Sequence, residues 1–323
     1  MIFSVAISGP TASGKTGLSL ELGERLSAEI ISADSMQIYR EMNIGTAKAT
    51  AAEQARVRHH LIDFVSPLEN YSVELYRDAA VRCALDISAR GKLPLFVGGT
   101  GLYLNSLVRA PLSDSPGSDP EFRERLLLGI KSEEDAVALW ERLRRVDPES
   151  AEKIHPNNVK RVIRAIEIYE SCGVTKTELD KRSTERMSDI FVGMITLDFH
   201  SRELLYSRID RRVDIMMDEG LVAEVESLYR RGLLPDGSTS RQAIGYKEII
   251  EYLEGRCTLD EASEAIKLSS RRYAKRQLTW FRHTDGAYTL YMDTPDGEMR
   301  ALSEVTDEAV RAVEMFGDKY RGQ

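Results

Sequence analysis

Residues 9 to 16 of the sequence form a phosphate-binding loop of the pattern G-x-x-x-x-G-K-[ST]. In such a loop, backbone N–H groups surround a diphosphate, the lysine contacts its oxygen atoms and the last hydroxyl group can bind Mg²⁺. We therefore assign the charge contact to Lys15 and the Mg²⁺ contact to Thr16. The predicted diphosphate-binding residues are Gly9, Pro10, Thr11, Ala12, Ser13, Gly14, Lys15 and Thr16.

The elements that would position this loop are a strand before it and a helix after it. The apolar run from Ile2 to Ile7 predicts the strand, and Leu18, Leu22 and Leu26 have the spacing of a helix. About the first 110 residues continue to alternate short apolar strands with helical patterns, which is typical of a parallel α/β sheet. Further strands are predicted at Glu29–Ser32, Leu93–Val97 and Phe191–Phe199, and a helix at Ser72–Arg90.

A stretch rich in Pro, Ser, Gly and Asp, residues 111–120, predicts a boundary in the chain. Residues 121 to about 185 are charged and helical in pattern, and the pattern is helical again from Ser201 onward. We therefore predict an α/β fold with a P-loop NTPase-like core, in which helices flank a parallel sheet, together with a helical insertion domain and C-terminal helices. The predicted core comprises residues 1–115 and 190–323, and the insertion comprises residues 116–189.

The composition of the 323 residues, 42% hydrophobic and 30% charged, is that of an ordinary globular protein. No apolar stretch approaches the roughly 20 residues of a membrane span, and the sequence starts on a predicted core strand, so we expect no membrane association and no signal peptide. Cys83, Cys172 and Cys257 are isolated, which argues against disulfides or a zinc site and for a reducing cytoplasm. We expect a cytoplasmic monomer whose net charge of −8 disfavours non-specific nucleic-acid binding by the whole chain.

The identity of the bound phosphate compound depends on an acidic residue that nucleotide triphosphatases place beside the loop to support Mg²⁺. The strand Leu93–Val97 ends in Gly98-Gly99-Thr100 and carries no acid, and Asp198 lies far along the chain. Asp34 remains, at a position where small-molecule kinases of this class often bind substrate. Two interpretations therefore stay open: a kinase of a small metabolite, or an enzyme that binds a different diphosphate.

A basic stripe near the C-terminus favours RNA as a second substrate. Residues 265–283 contain no acid and six basic residues, Lys267, Arg271, Arg272, Lys275, Arg276 and Arg282, interleaved with Tyr273, Trp280 and Phe281. Basic side chains follow a phosphate backbone, and aromatic rings stack on unpaired bases. The alternative is an amphipathic helix whose aromatic residues belong to the core. A second basic group, Lys160, Arg161 and Arg164, supports the RNA interpretation, although it could also be a solvated helix face.

At this point the sequence resembles a known family, the bacterial tRNA dimethylallyltransferases, also called tRNA isopentenyltransferases. The matching segments, in the order of the family, are residues 9–16, 34–39, 45–48, 59–63, 98–103, 155–158 with Arg161 and Arg164, 243–247 and 274–280. Ala49 departs from the proline that usually follows Gly-Thr-Ala-Lys in the family. We expect no zinc-finger extension of the eukaryotic type.

The resemblance implies a prenyltransferase acting on tRNA. It would transfer the dimethylallyl group from dimethylallyl diphosphate to N6 of the adenosine immediately 3′ of the anticodon and release pyrophosphate, with Mg²⁺ as cofactor. In the family, the aspartate that matches Asp34 accepts the proton of the attacking amine. The residue that matches Arg212 adds positive charge at the diphosphate. The alternatives are that Asp34 only caps the following turn and that Arg212 is a surface cation. Lys15 and Thr16 complete the implied catalytic set.

The resemblance also implies a set of tRNA contacts. Asp34, Ser35, Met36 and Gln37 would line the pocket of the extruded base, and the anticodon stem-loop would be held elsewhere. These further contacts are Thr100, Arg123, Val159, Lys160, Arg161, Val162, Arg241, Gln242, Ala243, Ile244, Gly245, Tyr246, Lys275, Arg276, Gln277, Leu278, Thr279, Trp280, Phe281 and Arg282. For His59 and His60 we favour a packing or turn role over catalysis.

Three rival functions make different demands on the same residues. A metabolite kinase needs ATP and no RNA, and an RNA-dependent NTPase hydrolyses ATP. The missing acid after Leu93–Val97 argues against both. A prenyltransferase of free adenylate, of the cytokinin type, would share the loop and Asp34 but would not need the basic stripe.

Overall fold

The computed structural model describes residues 1–108, 119–185 and 189–322. Within these ranges, six strands form one sheet in which every neighbouring pair is parallel. The strands are β1 (Ile2–Ser8), β2 (Ala28–Ser32), β3 (His59–His60), β4 (Leu93–Val97), β5 (Ile190–Asp198) and β6 (Tyr288–Tyr291). Their spatial order is β3-β2-β4-β1-β5-β6, which places the strand before the phosphate-binding loop between β4 and β5.

Helices surround this sheet and also form the insertion. Before the insertion they are α1 (Lys15–Arg25), α2 (Ala51–Arg56), α3 (Val73–Ala89) and α4 (Gly101–Val108). The insertion contains α5 (Pro120–Leu128), α6 (Glu133–Val146), α7 (Pro148–Lys153), α8 (Val159–Cys172) and α9 (Lys176–Glu185). The remaining helices are α10 (Arg202–Asp218), α11 (Leu221–Arg230), α12 (Tyr246–Leu253), α13 (Leu259–Arg282) and α14 (Leu302–Arg321).

The alternation of side chains along β1 explains how the sheet is covered on both faces. Val5 and Ile7 belong to one apolar cluster with residues of α1 and α14, whereas Ala6 belongs to a second cluster with residues of α3 and α4. Because successive residues of a strand point to opposite faces, the two clusters lie on the two faces of the sheet. The predicted parallel α/β fold with flanking helices is thereby confirmed.

The chain divides into two compact units, residues 1–108 with 189–323, and residues 109–188. The predicted boundary segment 111–120 lies outside the described residues except for Asp119 and Pro120. The first unit contains the whole sheet and a third apolar cluster formed by α10, α11, α12 and α13. The second unit consists of helices around a small core that includes Leu143, Val162 and Ile166.

Two strands were missing from the sequence prediction. The dipeptide strand β3 follows α2, and β6 lies in the C-terminal part of the chain, which we predicted to be helical throughout. Strand β6 has only four residues, and Leu290 is its single buried side chain, so its sequence shows no periodicity that would distinguish it from a loop.

A buried carboxylate in β2 holds the edge of the sheet together. Glu29 is 2% exposed, and its oxygens accept hydrogen bonds from Arg90 at 2.5 and 2.7 Å, Lys92 at 2.9 Å and His60 at 2.8 Å. The hydrogen bonds from Arg90, with those from Lys92 and His60, hold the pKa of Glu29 well below its usual range. A carboxylate with a depressed pKa contributes stability that is present above its unfolded pKa and is lost as the pH falls.

We expect Glu29→Gln to lower the free energy of unfolding by about 2 kcal/mol near neutral pH, because it leaves partly buried cations without their counter-charge. The difference from the wild type should shrink as the pH is lowered towards 3, and urea unfolding at several pH values measures it. Glu24→Gln is the matched control, since Glu24 pairs with Arg56 on the exposed surface. A loss of stability that stays the same at every pH would contradict the role of the Glu29 charge.

Candidate active site

The phosphate-binding loop connects the carboxyl end of β1 to α1. Gly9 has φ +145° and Gly14 has φ +93°, and a Cβ atom on Gly9 would lie 2.9 Å from Cβ of Leu197. Only glycine adopts these conformations easily and allows so close an approach of the neighbouring strand. The two glycine positions of the pattern therefore give this loop its shape.

Lys15 lies at the first position of α1, and its ammonium group closes over the loop. Its Nζ donates hydrogen bonds to the carbonyl oxygens of Gly9 at 3.0 Å and Pro10 at 2.6 Å. Burial, with the nearby charge of Arg212, lowers the pKa of Lys15 to about 7, and Asp34 opposes this shift. A site that disfavours an uncompensated cation so strongly is suited to a ligand that brings negative charge.

Helix α10 brings further positive charge to the loop. Arg208 donates from Nε to the carbonyl oxygen of Ala12 at 3.0 Å, and Arg212 follows one turn later on the same side of the helix. Both side chains line the same cavity as Lys15. Burial lowers the pKa of Arg212, while Asp34 raises it. Arg212 is thus a cavity residue and not a freely solvated surface cation.

This cavity has a volume of about 730 Å³, and the described residues that line it belong to the first unit. The phosphate-binding loop and the arginines of α10 form one part of its lining. Another part is apolar and consists of Val213, Met216, Ala243, Ile244 and Ile266. A polar region that can hold phosphate and an adjacent apolar wall match a ligand with a charged head and a short hydrocarbon group.

Asp34 follows β2 at the same edge of the sheet and also lines the cavity. Its Oδ1 atom accepts hydrogen bonds from the backbone N–H groups of Met36 at 2.9 Å and Gln37 at 3.4 Å. Asp34 therefore does cap the following turn, as the alternative interpretation expects. The second oxygen, Oδ2, has no hydrogen-bond partner in the described part of the chain and is left to accept a proton from a ligand.

The neighbours of Asp34 are held by side-chain hydrogen bonds. The backbone N–H of Ser35 donates to Oγ1 of Thr100 at 3.0 Å, so Thr100 supports the turn. Nε2 of Gln37 donates to the carbonyl oxygens of Thr46 at 3.3 Å and Ala47 at 3.2 Å. Ser35, Met36 and Gln37, to which the resemblance gives the pocket of the acceptor base, all line the cavity.

Gln277 has a role that sequence reasoning missed. This buried side chain of α13 accepts a hydrogen bond from the N–H of Thr11 at 2.9 Å and donates one to the carbonyl of Gly99 at 2.9 Å. It thus connects the phosphate-binding loop to the glycine-rich turn after β4. The resemblance implies an RNA contact for Gln277, and no local signal distinguishes it from its exposed neighbours.

The structure divides the basic stripe of α13 into two groups. Lys267, Arg271 and Arg282 form ion pairs with Asp214, Asp210 and Asp198. Arg272, Lys275 and Arg276 are exposed and have no ion pair with any residue that the structure describes. Their spacing places these three side chains on one face of the helix, next to Thr279, and Trp280 is also exposed. This group, the free basic face of α13, is available to a polyanion.

Several residues of the predicted RNA segments are buried instead. Tyr246, Ala243, Leu278 and Phe281 belong to the apolar clusters of the first unit, and Val162 belongs to the core of the insertion. Gln242, Ile244 and Gly245 line the cavity, and Arg241 bonds the carbonyl of Leu234 and the carboxylate of Glu254. The side chains that pack in this way support the segments that carry them. Contact with RNA is therefore expected only from their exposed neighbours.

In the insertion, the buried carboxylate of Glu167 binds two arginines that we connected with RNA in the sequence analysis. Arg123 donates to both of its oxygens, at 3.1 and 3.0 Å, and Arg164 donates at 2.7 Å. Lys160 and Arg161, in contrast, are exposed at the start of α8, and Val159 is half-buried beside them.

Asp198 lies much closer to the loop than its sequence position suggests. It ends β5, which pairs with β1 so that Ser8 lies opposite Thr196. Asp198 is nevertheless committed to ion pairs with Arg202 at 3.1 Å and Arg282 at 3.2 Å. No cluster of three or more His, Cys, Asp or Glu residues suited to a metal ion occurs in the described ranges. The two histidines of β3 do not line the cavity. His59 bonds the carbonyl oxygen of Val57, and His60 bonds the carboxylate of Glu29.

The sheet order and the loop define a P-loop α/β protein, and the loop lines a cavity. The family model described as "IPP transferase" matches residues 37–284, and the model described as "Isopentenyl transferase" matches residues 3–69. The chain belongs to the IPP transferase family.

Individual relatives agree with this assignment. A tRNA dimethylallyltransferase of Shouchella clausii is 45% identical over 303 residues, which cover 93% of this chain and 95% of the relative. The protein of the same name from Bacillus anthracis is 46% identical and covers 95% of this chain and 94% of the relative.

Solved structures are similar as well. The tRNA isopentenylpyrophosphate transferase of Bacillus halodurans is 41% identical, with a TM-score of 0.69 over 99% of both chains. A eukaryotic dimethylallyltransferase acting on tRNA is 28% identical, with a TM-score of 0.77 over 90% of this chain and 74% of its own. In the described part of our chain, no helix is long and apolar enough to cross a membrane.

Proposed function

We propose that this protein is a tRNA dimethylallyltransferase that uses dimethylallyl diphosphate and modifies N6 of the adenosine immediately 3′ of the anticodon. The product is N6-(dimethylallyl)adenosine in tRNA, and pyrophosphate leaves. The observation that carries this proposal is one cavity that combines the phosphate-binding loop, an apolar wall and the carboxylate of Asp34. The relatives are named tRNA dimethylallyltransferases, and these names support the same activity.

The first demand of the reaction is to stabilise the departing pyrophosphate. As the allylic C–O bond breaks, negative charge grows on the diphosphate, and preorganised donors lower the barrier most at that point. The N–H groups of the loop, Nζ of Lys15 and the guanidinium group of Arg212 fit this demand. Arg208 keeps the loop in shape through its bond to Ala12.

The second demand is to take a proton from the attacking amine. The N6 lone pair of adenine is delocalised into the ring, so attack requires a base to remove a proton as the new C–N bond forms. Oδ2 of Asp34 is suited to this role, because Oδ1 is occupied by the turn and fixes the carboxylate. The apolar wall would hold the dimethylallyl group between the two polar regions.

We propose Mg²⁺ as the cofactor, held by the Thr16 hydroxyl and by oxygens of the diphosphate. Thr16 is exposed beside the loop and lines the cavity, which suits an ion that keeps several waters and binds through substrate phosphates. The bound ion would supply charge neutralisation of the leaving group. Asp198 is paired with Arg202 and Arg282, so its carboxylate is already engaged.

A direct assay tests the proposal. Purified protein is incubated with Mg²⁺, labelled dimethylallyl diphosphate and either an anticodon stem-loop, free AMP or ATP alone. We expect label in the stem-loop, none in AMP and none without Mg²⁺. Label in AMP alone would identify a free-adenylate prenyltransferase, and turnover of ATP without prenyl transfer would identify a kinase or an NTPase.

The free basic face of α13 is proposed to contact the tRNA backbone. We expect Arg276→Ala to weaken tRNA binding and to reduce the slope of log K against log salt by about one. Lys267→Ala removes the same charge from the same helix, but Lys267 is already paired with Asp214 and Glu264, so the slope should not change. Filter binding at several salt concentrations measures both. Equal slopes for Arg276→Ala and the wild type would exclude a phosphate contact by Arg276.

We also propose that the protein is a cytoplasmic monomer. All three cysteines are free, as is usual in a reducing compartment. Sedimentation at several protein concentrations tests the monomer.

A further inference from the structure

The segment Gly45-Thr46-Ala47-Lys48 is a motif of the sequence to which the proposed reaction gives no role. In the structure it is a turn before α2, and Gly45, Thr46 and Ala47 line the cavity. Backbone hydrogen bonds from Ala47 to Ile44 and from Lys48 to Asn43 close the turn on itself, and side-chain hydrogen bonds connect it to the rest of the fold. Residues 45–47 form a second wall of the cavity, and the contacts that hold them decide the shape of that side.

The contacts at the start of this turn come from one carboxylate on α11. Oε2 of Glu224 accepts hydrogen bonds from the N–H groups of Asn43 at 2.9 Å and Ile44 at 2.8 Å, and Oε1 accepts one from Gly45 at 3.2 Å. Oε1 also accepts a bond from the hydroxyl group of Tyr246 at 2.6 Å. Three successive N–H groups that point at one anion form a cradle, and charge-assisted bonds of this kind are strong.

Tyr246 links this arrangement to a second motif, residues 243–247. The ring is fully buried, and a Cβ atom on Gly45 would lie 2.5 Å from its Cε2 atom, so the ring and the turn are in direct contact. Burial and the charge of Glu224 both raise the pKa of Tyr246, which keeps its hydroxyl protonated as a donor. The two motifs thus meet at Glu224.

The wall is connected to the residue that would take the proton. Nε2 of Gln37 bonds the carbonyl oxygens of Thr46 and Ala47, and the backbone N–H of Gln37 bonds Oδ1 of Asp34. At the other end of the motif, Lys48 bonds the carbonyl of Tyr39 at 2.7 Å. A shift of the turn at Gly45 would therefore reach the turn that carries Asp34.

We propose that Glu224 is a positioning residue: its carboxylate sets the wall formed by Gly45, Thr46 and Ala47 against the Asp34 turn and so aligns the prenyl group with the acceptor. This inference rests on the proposed function. Glu224 does not touch the phosphate-binding loop, so it governs the transfer step and leaves the binding of the diphosphate unchanged.

The test variant is Glu224→Gln. One carboxylate oxygen becomes an NH₂ group that must face N–H or O–H donors, so the four bonds cannot all be kept. We expect kcat to fall on the order of tenfold to 100-fold, as misplacement by about 1 Å does, while the Kd for pyrophosphate stays within about threefold. Tyr246→Phe removes one of the four bonds and should lose less activity. Glu226→Gln, on the same helix and paired with Arg230, is the matched control.

Hydrogen exchange of the N–H groups of residues 43–45 reports on the same contacts without any substrate. Faster exchange in Glu224→Gln, together with the isolated loss of kcat, is the expected result. A kcat within about twofold of the wild type, or a parallel loss of kcat, pyrophosphate affinity and Tm, would overturn the inference. If Glu224→Gln does not fold, Tyr246→Phe decides by the same criteria. If the wild type transfers no prenyl group, the proposed function fails, and exchange alone then decides whether Glu224 holds the turn.

Discussion

An Asp34→Asn variant is expected to lose about 10²- to 10⁴-fold in kcat while it binds tRNA nearly as well as the wild type. The amide oxygen of the substituted side chain can still accept the N–H groups of Met36 and Gln37, so the turn should persist. What disappears is the basic oxygen, Oδ2, that would accept the proton of the adenine amine. Single-turnover transfer and tRNA binding, measured on the same preparation, separate the two effects.

Asp34→Ala serves as the comparison, because it removes both the base and the cap of the turn. If Asp34 acts as the base, the two variants should have similarly low kcat, and only Asp34→Ala should also weaken tRNA binding by more than about threefold. A loss of tRNA affinity in Asp34→Asn as large as its loss of kcat would assign Asp34 to recognition. Full activity of Asp34→Asn would require another proton acceptor.

The parts of this site that the sequence predicts are those determined by local chain chemistry. The loop pattern and the apolar runs before it and at Leu93–Val97 specify their own geometry, and the structure contains these strands with nearly the same bounds. The helix Val73–Ala89 likewise starts where Ser72 caps it through the N–H of Leu75. Such signals lie within a few residues of the feature that they predict.

Long-range order is what the sequence could not supply. Asp198 is remote from the loop in sequence because the insertion separates them, yet the pairing of β5 with β1 brings it to the same edge of the sheet. Gln277 bonds Thr11 across 266 residues, and both of its partners are backbone groups, which have no sequence signature. The order of strands in a parallel sheet depends on crossover connections that a residue pattern does not encode.

The basic stripe shows the same limit for electrostatics. A count of charges in residues 265–283 gives six cations, but Asp198, Asp210 and Asp214 neutralise three of them from other elements. Only the packing of α13 against α10 and the end of β5 distinguishes paired from free side chains. The expected RNA contact therefore narrows to the free basic face of α13.

A Lys15→Met variant should lose about 10²- to 10³-fold in kcat, the effect of removing one preorganised donor from a developing anion. Methionine keeps an unbranched side chain that is one atom shorter and provides no charge for the departing pyrophosphate. In the free protein Nζ of Lys15 bonds the carbonyl oxygens of Gly9 and Pro10, so it lies at the loop before the ligand arrives. Transfer rates at saturating dimethylallyl diphosphate measure the loss, and inhibition by pyrophosphate measures the change in binding.

The variant Lys15→Arg tests whether the transfer rate depends on the position of the positive charge or only on its presence. A guanidinium group is planar and larger than an ammonium group, so it cannot occupy the same point between two carbonyl oxygens, and we expect it to recover less than about tenfold of the lost rate. Lys247→Met is the control, because Lys247 lines the same cavity from α12 without contacting the loop. It should leave kcat within about threefold of the wild type. Equal losses in the two methionine variants would mean that the overall positive potential of the cavity drives the reaction. A full rate in Lys15→Met would mean that Arg212 and the loop N–H groups stabilise the departing pyrophosphate without Lys15.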